Sequence, residues 1–150
     1  MKTDQNKKQS NVQFCCPVCS FDLWLPLAKL EVSVLGLYDD ARFPGRCILV
    51  LDGHAEDFSI LDPQLACRFF RDCQVSAKAI KAAVNVKRVN VAILGNEVAH
   101  VHFHLIPRRP SDEPIPNRPP WEHPQPKSPL SEIRRLEISS RIKEELSKLG

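Results

Sequence analysis

His100, His102 and His104 alternate with Val101 and Phe103, and Leu105 and Ile106 follow at once. Successive side chains on a strand point to opposite faces. This spacing therefore predicts a β-strand with three imidazoles on one face and Val101, Phe103 and Leu105 turned into a core. Imidazole changes charge near neutral pH and serves as nucleophile, acid, base or metal ligand. Of the chain's 5 histidines, three fall in this run. The pattern by itself leaves two readings open, a catalytic strand and a plain metal site.

Cys16-Pro17-Val18-Cys19 is the second group able to do chemistry. Two thiolates at this spacing can bite one tetrahedral zinc, but a closed structural site needs two more ligands. A thioredoxin-like redox pair has the same spacing, yet no βαβ pattern surrounds it. A surface pair without a ligand is the third reading. Cys15 is a spare thiol beside the pair. Cys47, Cys67 and Cys73 stand in apolar contexts and read as buried small hydrophobes.

A chain of 150 residues with 43% hydrophobic and 26% charged residues is one ordinary globular domain with a real core. A net charge of +3 suits an anionic small molecule and falls short of a nucleic-acid-binding stripe, so no specific nucleic acid is expected. No stretch approaches the roughly 20 apolar residues of a membrane span. The polar stretch Met1–Gln9 has no apolar segment behind it, so a secretory signal is not expected. The expected setting is the reducing cytoplasm, where cysteines are metal ligands or buried thiols before they are disulfides.

The elements that must position these groups are legible in part. A disordered leader is expected over 1–12. Phe21 to Leu30 contains Pro26 and reads as a short helix or turn rather than a strand. Glu31 to Tyr38 alternates as a strand, and Arg46 to Leu51 is a short apolar run of the buried-strand type. Arg42-Phe43-Pro44-Gly45 is a turn signal joining the two as an antiparallel pair. Asp62-Pro63 reads as an N-cap with proline at the first helical position. The helix it opens runs to about Val84, with Leu65, Phe69, Val75 or Ser76, Ile80 and Ala83 near one stripe. Val89, Val91 and Ile93 mark another strand. Gly95-Asn96 is a two-residue turn from which the histidine strand returns antiparallel over Val98 to Ile106. Prolines crowd Pro107 to Pro129 and predict an irregular arm. Ser131 to Leu149 reads as a final helix. The expected class is α+β, an antiparallel sheet with one long helix and a C-terminal helix.

Filled by His100 to Ile106, His-φ-His-φ-His-φ-φ resembles the signature of the histidine triad (HIT) superfamily of nucleotide hydrolases and transferases. Phe43-Pro44-Gly45-Arg46 with Cys47 to Leu51 resembles the loop and strand framing that family's nucleotide. Pro107-Arg108-Arg109-Pro110 resembles the extension of its diadenosine polyphosphate hydrolase branch. The likeness spans roughly Cys16 to Trp121. It implies a catalytic domain over 13–121, with the proline-rich arm and last helix over 122–150. It also implies a homodimer with one continuous sheet, joined through the long helix and the strand from Val89.

The resemblance makes His102 the nucleophile that attacks an α-phosphate, giving a covalent nucleotidyl-histidine that water resolves. The ring nitrogen that does not attack must then donate to a fixed acceptor. His104 would stabilise the phosphate's growing charge. Asn96 would bond the phosphate or the leaving oxygen, with Glu97 its neighbour in the second place. Some members bind zinc through a CxxC, a histidine at the place of His54 and the first histidine of the triad. Cys16, Cys19, His54 and His100 match that set, which would make the zinc structural, while any Mg²⁺ would arrive with the substrate. Many members carry histidine where this chain has Arg46, which could clamp a phosphate or point to solvent. Asp39 and Asp40 are the ribose candidates, and Arg108 and Arg109 could reach polyphosphate. Leu37, Tyr38 and Phe43 could wall a base, and Trp121 could pack over the pocket or against a second subunit.

The implied activity is hydrolysis of a nucleoside 5′-phosphoryl compound, such as a dinucleoside polyphosphate like diadenosine tetraphosphate. Hydrolysis of an adenosine phosphoramidate, and phosphorolysis of a dinucleoside polyphosphate, would use the same strand. A nucleotide-binding regulatory module with little turnover and a zinc-stabilised interaction protein are the non-enzymatic alternatives.

Overall fold

A computed structural model describes residues 11–150. Most of the leader expected over 1–12 lies outside the described residues. Five strands form one antiparallel sheet: β1 (Leu25–Lys29), β2 (Ser33–Leu37), β3 (Cys47–Leu51), β4 (Arg88–Ala92) and β5 (His102–Arg108). Their spatial order is β1-β2-β3-β5-β4, so β1 and β4 are the edges. Two helices complete the α+β fold, α1 (Pro63–Val84) and α2 (Glu132–Leu149). Among the described residues no helix is long and apolar enough to cross a membrane.

Strand alternation sorts the sheet into two faces with different work. Leu35, Leu37, Cys47, Leu49, Leu51, Phe103 and Leu105 join Phe69, Ile80, Ile138 and Ile142 in the main core under the helices. Each fully buried Leu or Phe there contributes about 1.5–3 kcal/mol. Val34 and Val50 point the other way and pack with Phe14, Cys16 and Leu23 in a smaller cluster. His102 pairs with Val50 and His104 with Ile48, so both imidazoles lie on this second face. The N-terminal segment closes over it, and a Cβ at Gly36 would meet Leu23 at 3.0 Å.

Local chemistry explains the long helix and its anchoring. The Asp62 side chain accepts from the backbone N–H groups of Gln64 and Leu65, and Pro63 opens α1. From the middle of α1 the buried Asp72 carboxylate accepts from Val32 N at 2.9 Å and Ser33 Oγ at 2.6 Å. That pair of bonds pins the β1–β2 turn to the helix. Gly45 has φ +97°, a conformation a side chain would strain, and it turns the chain into β3.

Four expectations need correction. The segment around Pro26 is a strand: β1 is an edge strand, where proline is tolerated, and its register shifts between Pro26 and Ala28. Gly95-Asn96 does not close a tight hairpin, because β4 ends at Ala92 and β5 starts at His102. His100 N bonds Val98 O, and Val101 N bonds Ala55 O, so this stretch leaves the ladder and His100 precedes the strand. Cys67 is exposed rather than buried, since its place on α1 turns it to solvent.

Candidate functional site

The CxxC folds as a tight loop before β1. Ser20 N donates to Cys16 O at 2.9 Å and Cys16 N to Phe21 O at 2.8 Å, with Ser20 at φ 63°. His54 follows the end of β3, and His100 lies just before β5. Their four ligand atoms all fall within 4.8 Å of one another. His54 Nδ1 and His100 Nδ1 are 3.3 Å apart, Cys19 Sγ and His100 Nδ1 3.3 Å, and Cys16 Sγ and His54 Nδ1 3.5 Å. A tetrahedron built on typical Zn–N and Zn–S lengths has edges of about 3.3–3.6 Å for these pairs. The donor set is thus spaced as a four-coordinate metal centre needs.

The proton inventory agrees. His100 Nε2 faces Leu51 O at 2.8 Å. A carbonyl only accepts, so Nε2 carries the proton and Nδ1 presents a bare lone pair to the cluster. This carbonyl-oriented histidine is the usual support of a metal-bound imidazole. Burial opposes ionisation of Cys16, but hydrogen bonds from the Cys19 and Val18 backbone and the Cys19 and His54 side chains outweigh it. They bring its thiol down to about 6. The cluster can therefore hold a metal ion as a thiolate and imidazole site.

His102 is buried, and its Nδ1 lies 2.5 Å from the carbonyl of His100. That carbonyl again forces the proton onto Nδ1, which leaves Nε2 with a free lone pair. The ring of Phe21 lies 5.1 Å from that of His102 at 32°, and His104 stands 5.3 Å away. A cavity of about 380 Å³ opens on this face, lined by His102, His104, Tyr38, Arg46, Phe21 and Asn96, among others. It is large enough for a nucleoside phosphate. Two larger cavities, about 820 and 550 Å³, lie away from His100, His102 and His104, beside Arg88 and Arg134.

Asp40 is fully buried, and its carboxylate is wholly engaged. It accepts from Arg42 N at 3.1 Å, Arg42 Nε at 2.9 Å, Arg42 Nη2 at 2.9 Å and Arg46 Nη1 at 3.0 Å. Burial works against the charge, yet the Arg42 bonds and the two guanidinium charges hold this carboxyl below the usual range. Arg46 reaches from Asp40 across the face of Tyr38, 4.1 Å from its centroid, to His104 Nδ1 at 3.1 Å. Burial first, then the Arg46 charge and His102, push His104 down to about 4.

The other expected residues divide. Asn96 and Glu97 line the histidine cavity, although neither bonds a triad histidine. Asp39 accepts from Leu130 N at 2.7 Å, which ties it to the arm before α2. Asp40 is thus engaged by two arginines, and neither acid is among the residues lining the histidine cavity. Arg108 shares the histidine face of β5 but is consumed farther along by Glu113, Asn90 and two carbonyls. Arg109 bonds the carbonyls of Pro44 and Val84. Leu37 belongs to the core, and Phe43 packs on His123 away from the triad. Trp121 is exposed beside the β4 edge rather than over the triad cavity. Phe21, Ile48 and Leu94 are cavity residues that sequence reasoning missed. Phe21 alone had a signal, two positions after Cys19, where a metal loop would fold it onto the histidines.

Comparison with known proteins places this geometry. The HIT domain family matches residues 27–111, more than half the chain, and the protein belongs to that family. An uncharacterised HIT-like protein of Methanocaldococcus jannaschii is 26% identical over 102 residues, 65% of this chain and 79% of that one. A histidine triad protein from Sinorhizobium meliloti superposes with TM-score 0.72 at 27% identity, covering 81% of this chain and 88% of its own. A zinc-bound histidine triad family protein from Mycobacterium smegmatis gives 0.63 at 19% identity, covering 83% and 84%. The diadenosine triphosphate hydrolase of Plasmodium falciparum gives 0.65 at 17% identity, covering 95% and 89%. The last two share the fold.

Proposed function

We propose that this protein is a HIT-type nucleotidyl hydrolase acting on a nucleoside 5′-phosphoryl compound such as a dinucleoside polyphosphate. The observation that carries this reading is the bond from His102 Nδ1 to the His100 carbonyl. In the neutral ring it places the single proton on Nδ1 and so turns the lone pair of Nε2 outward, the tautomer a nucleophilic imidazole needs. In the first step Nε2 donates its lone pair to the α-phosphorus, and the phosphorus–oxygen bond to the leaving phosphate breaks with its electron pair. In the second step water forms a bond to phosphorus and gives up a proton. The phosphorus–nitrogen bond returns its electrons to His102, and a nucleoside monophosphate departs. His104 and Asn96, both on the cavity wall, would bond the phosphoryl oxygens, and Tyr38, Ile48, Phe21 and Leu94 would supply the apolar walls. The diadenosine triphosphate hydrolase of the same fold supports the substrate class.

Zinc is the metal we assign to Cys16, Cys19, His54 and His100, since two thiolates and two imidazoles at tetrahedral spacing suit it. Four protein ligands leave no position for water, so its work is structural: it ties the N-terminal loop, and with it Phe21, to the segment whose carbonyl holds His102. The free edge of β4, with Val91, Ile93 and Leu94 exposed nearby, supports a homodimer joined there.

Incubation of the full chain with diadenosine tetraphosphate and, separately, with an adenosine phosphoramidate tests the activity. AMP release is expected from the former. Release of ADP in place of AMP when inorganic phosphate is added would reassign it as a phosphorylase, and release from the phosphoramidate alone as a phosphoramidase. Tight nucleotide binding with no product from either would make it a regulatory module.

A further inference from the structure

Arg46 stands in an unusual position for a cation. Its side chain is 14% exposed, and it lies between a fully buried carboxylate and a half-buried imidazole. Its Nε–H is buried with no partner among the described residues, although burial lowers the guanidinium's own proton affinity. A side chain that leaves a donor unsatisfied is not placed there for stability. What the position accomplishes is geometric. Nη1 is fixed on Asp40 at 3.0 Å, Tyr38 lies flat beneath the guanidinium, and Nη2 meets His104 Nδ1 at 3.1 Å.

A guanidinium can only donate. The Nδ1 that meets it must therefore be the accepting, unprotonated nitrogen, and the proton of a neutral His104 must lie on Nε2. We propose that Arg46 is a positioning residue: anchored by Asp40, it fixes His104 as a neutral imidazole with a donating Nε2–H beside the nucleophile. This rests on the reading of His102 as a phosphoryl-attacking nucleophile, and it assigns His104 the role of hydrogen-bond donor to the phosphoryl oxygens. A histidine at position 46 would itself need the right tautomer to do this. Arginine does it in any protonation state of the site, because its charge and donors do not change. The groups facing His104 are Arg46 before β3, Tyr38 after β2 and His102 on its own strand; Glu97 of the β4–β5 loop lines the same cavity. Among the described residues Arg46 is the one hydrogen-bond partner of its Nδ1.

Long-range nitrogen–proton correlation spectra of the ¹⁵N-histidine-labelled full chain read the tautomer directly. In the wild type His104 should show an unprotonated Nδ1 and a protonated Nε2. Arg46→Met and Arg46→Lys should both lose that exclusive pattern and raise the titration midpoint of His104, since neither reaches Asp40 and Nδ1 together. A wild-type His104 with its proton on Nδ1 would overturn the proposal even if neither variant folds. So would an unchanged pattern and midpoint in both folded variants. The spectra are taken on resting protein, so a chain that releases no AMP yet shows the Nε2–H form loses its proposed function and keeps this inference.

Discussion

Replacing Asp40 by alanine separates two roles that the same carboxylate could play. A ribose ligand would lose substrate affinity and little stability. The geometry predicts the opposite. Asp40 is fully buried and receives four charge-assisted bonds from Arg42 and Arg46, whose side chains are 15% and 14% exposed. Removing one partner of a buried ion pair costs about 3–5 kcal/mol, because the charge left behind has no compensation. Arg42 keeps a bond to the Gln125 carbonyl and lies close enough to solvent to recover some hydration, which argues for the lower half of that range. For a chain of this size each kcal/mol is about 2–4 °C in Tm, so the drop should be roughly 6–16 °C. Urea unfolding and calorimetry of both proteins read it. The pH dependence has a defined sign: a carboxyl held below its ordinary value stabilises the fold above that value and loses the contribution as pH falls through the folded one. The gap between wild type and Asp40→Ala should therefore close toward low pH. A loss under about 1 kcal/mol with a several-fold rise in KM would refute this reasoning and return Asp40 to the ribose.

Cys16→Ser should remove one of four ligands, so elemental analysis should find bound zinc lost and the unfolding midpoint lowered; full zinc occupancy in this variant would sink the assignment. Asp72→Ala strands Val32 N–H and Ser33 Oγ–H in the interior, and at about 1–3 kcal/mol per unsatisfied donor the urea midpoint should fall by roughly 2–6 kcal/mol in stability. His104 is pushed down to about 4, so the unfolded chain binds its proton first and this group should erode stability as pH falls from about 6.5 toward 4. His104→Gln should flatten that part of the stability–pH curve, and an unchanged slope would contradict the burial of a neutral imidazole.

Local signals made α1 and the β2–β3 pair readable. Asp62-Pro63 caps the helix from its own side chain, and Gly45 supplies the one positive φ the loop needs. β1 was hidden because Pro26 argues against a strand unless the strand is known to be an edge, which is a property of the whole sheet. The spacing of His100 is that of the strand; only the bonds of His100 N to the Val98 carbonyl two residues back and of Val101 N to Ala55 O take it out of the ladder. The resemblance nominated the four metal ligands from positions up to 84 residues apart, Cys16 to His100, and no periodicity could have paired them. The resemblance points Asp40 and Arg108 to the substrate, since nothing in the chain order assigns either charge a partner. Their partners, Arg46 six residues on and Glu113 across a loop, appear only once the chain is folded.

Intact-mass measurement of the full chain, quenched in alkali within milliseconds to seconds of mixing with a dinucleoside polyphosphate, goes straight to the chemistry at His102. The account predicts a transient gain of one nucleoside monophosphoryl group, mapped by peptide fragmentation to His102 and absent from His102→Ala, which should also release no AMP. AMP release that survives in His102→Ala, or an adduct mapped to another residue, would contradict it.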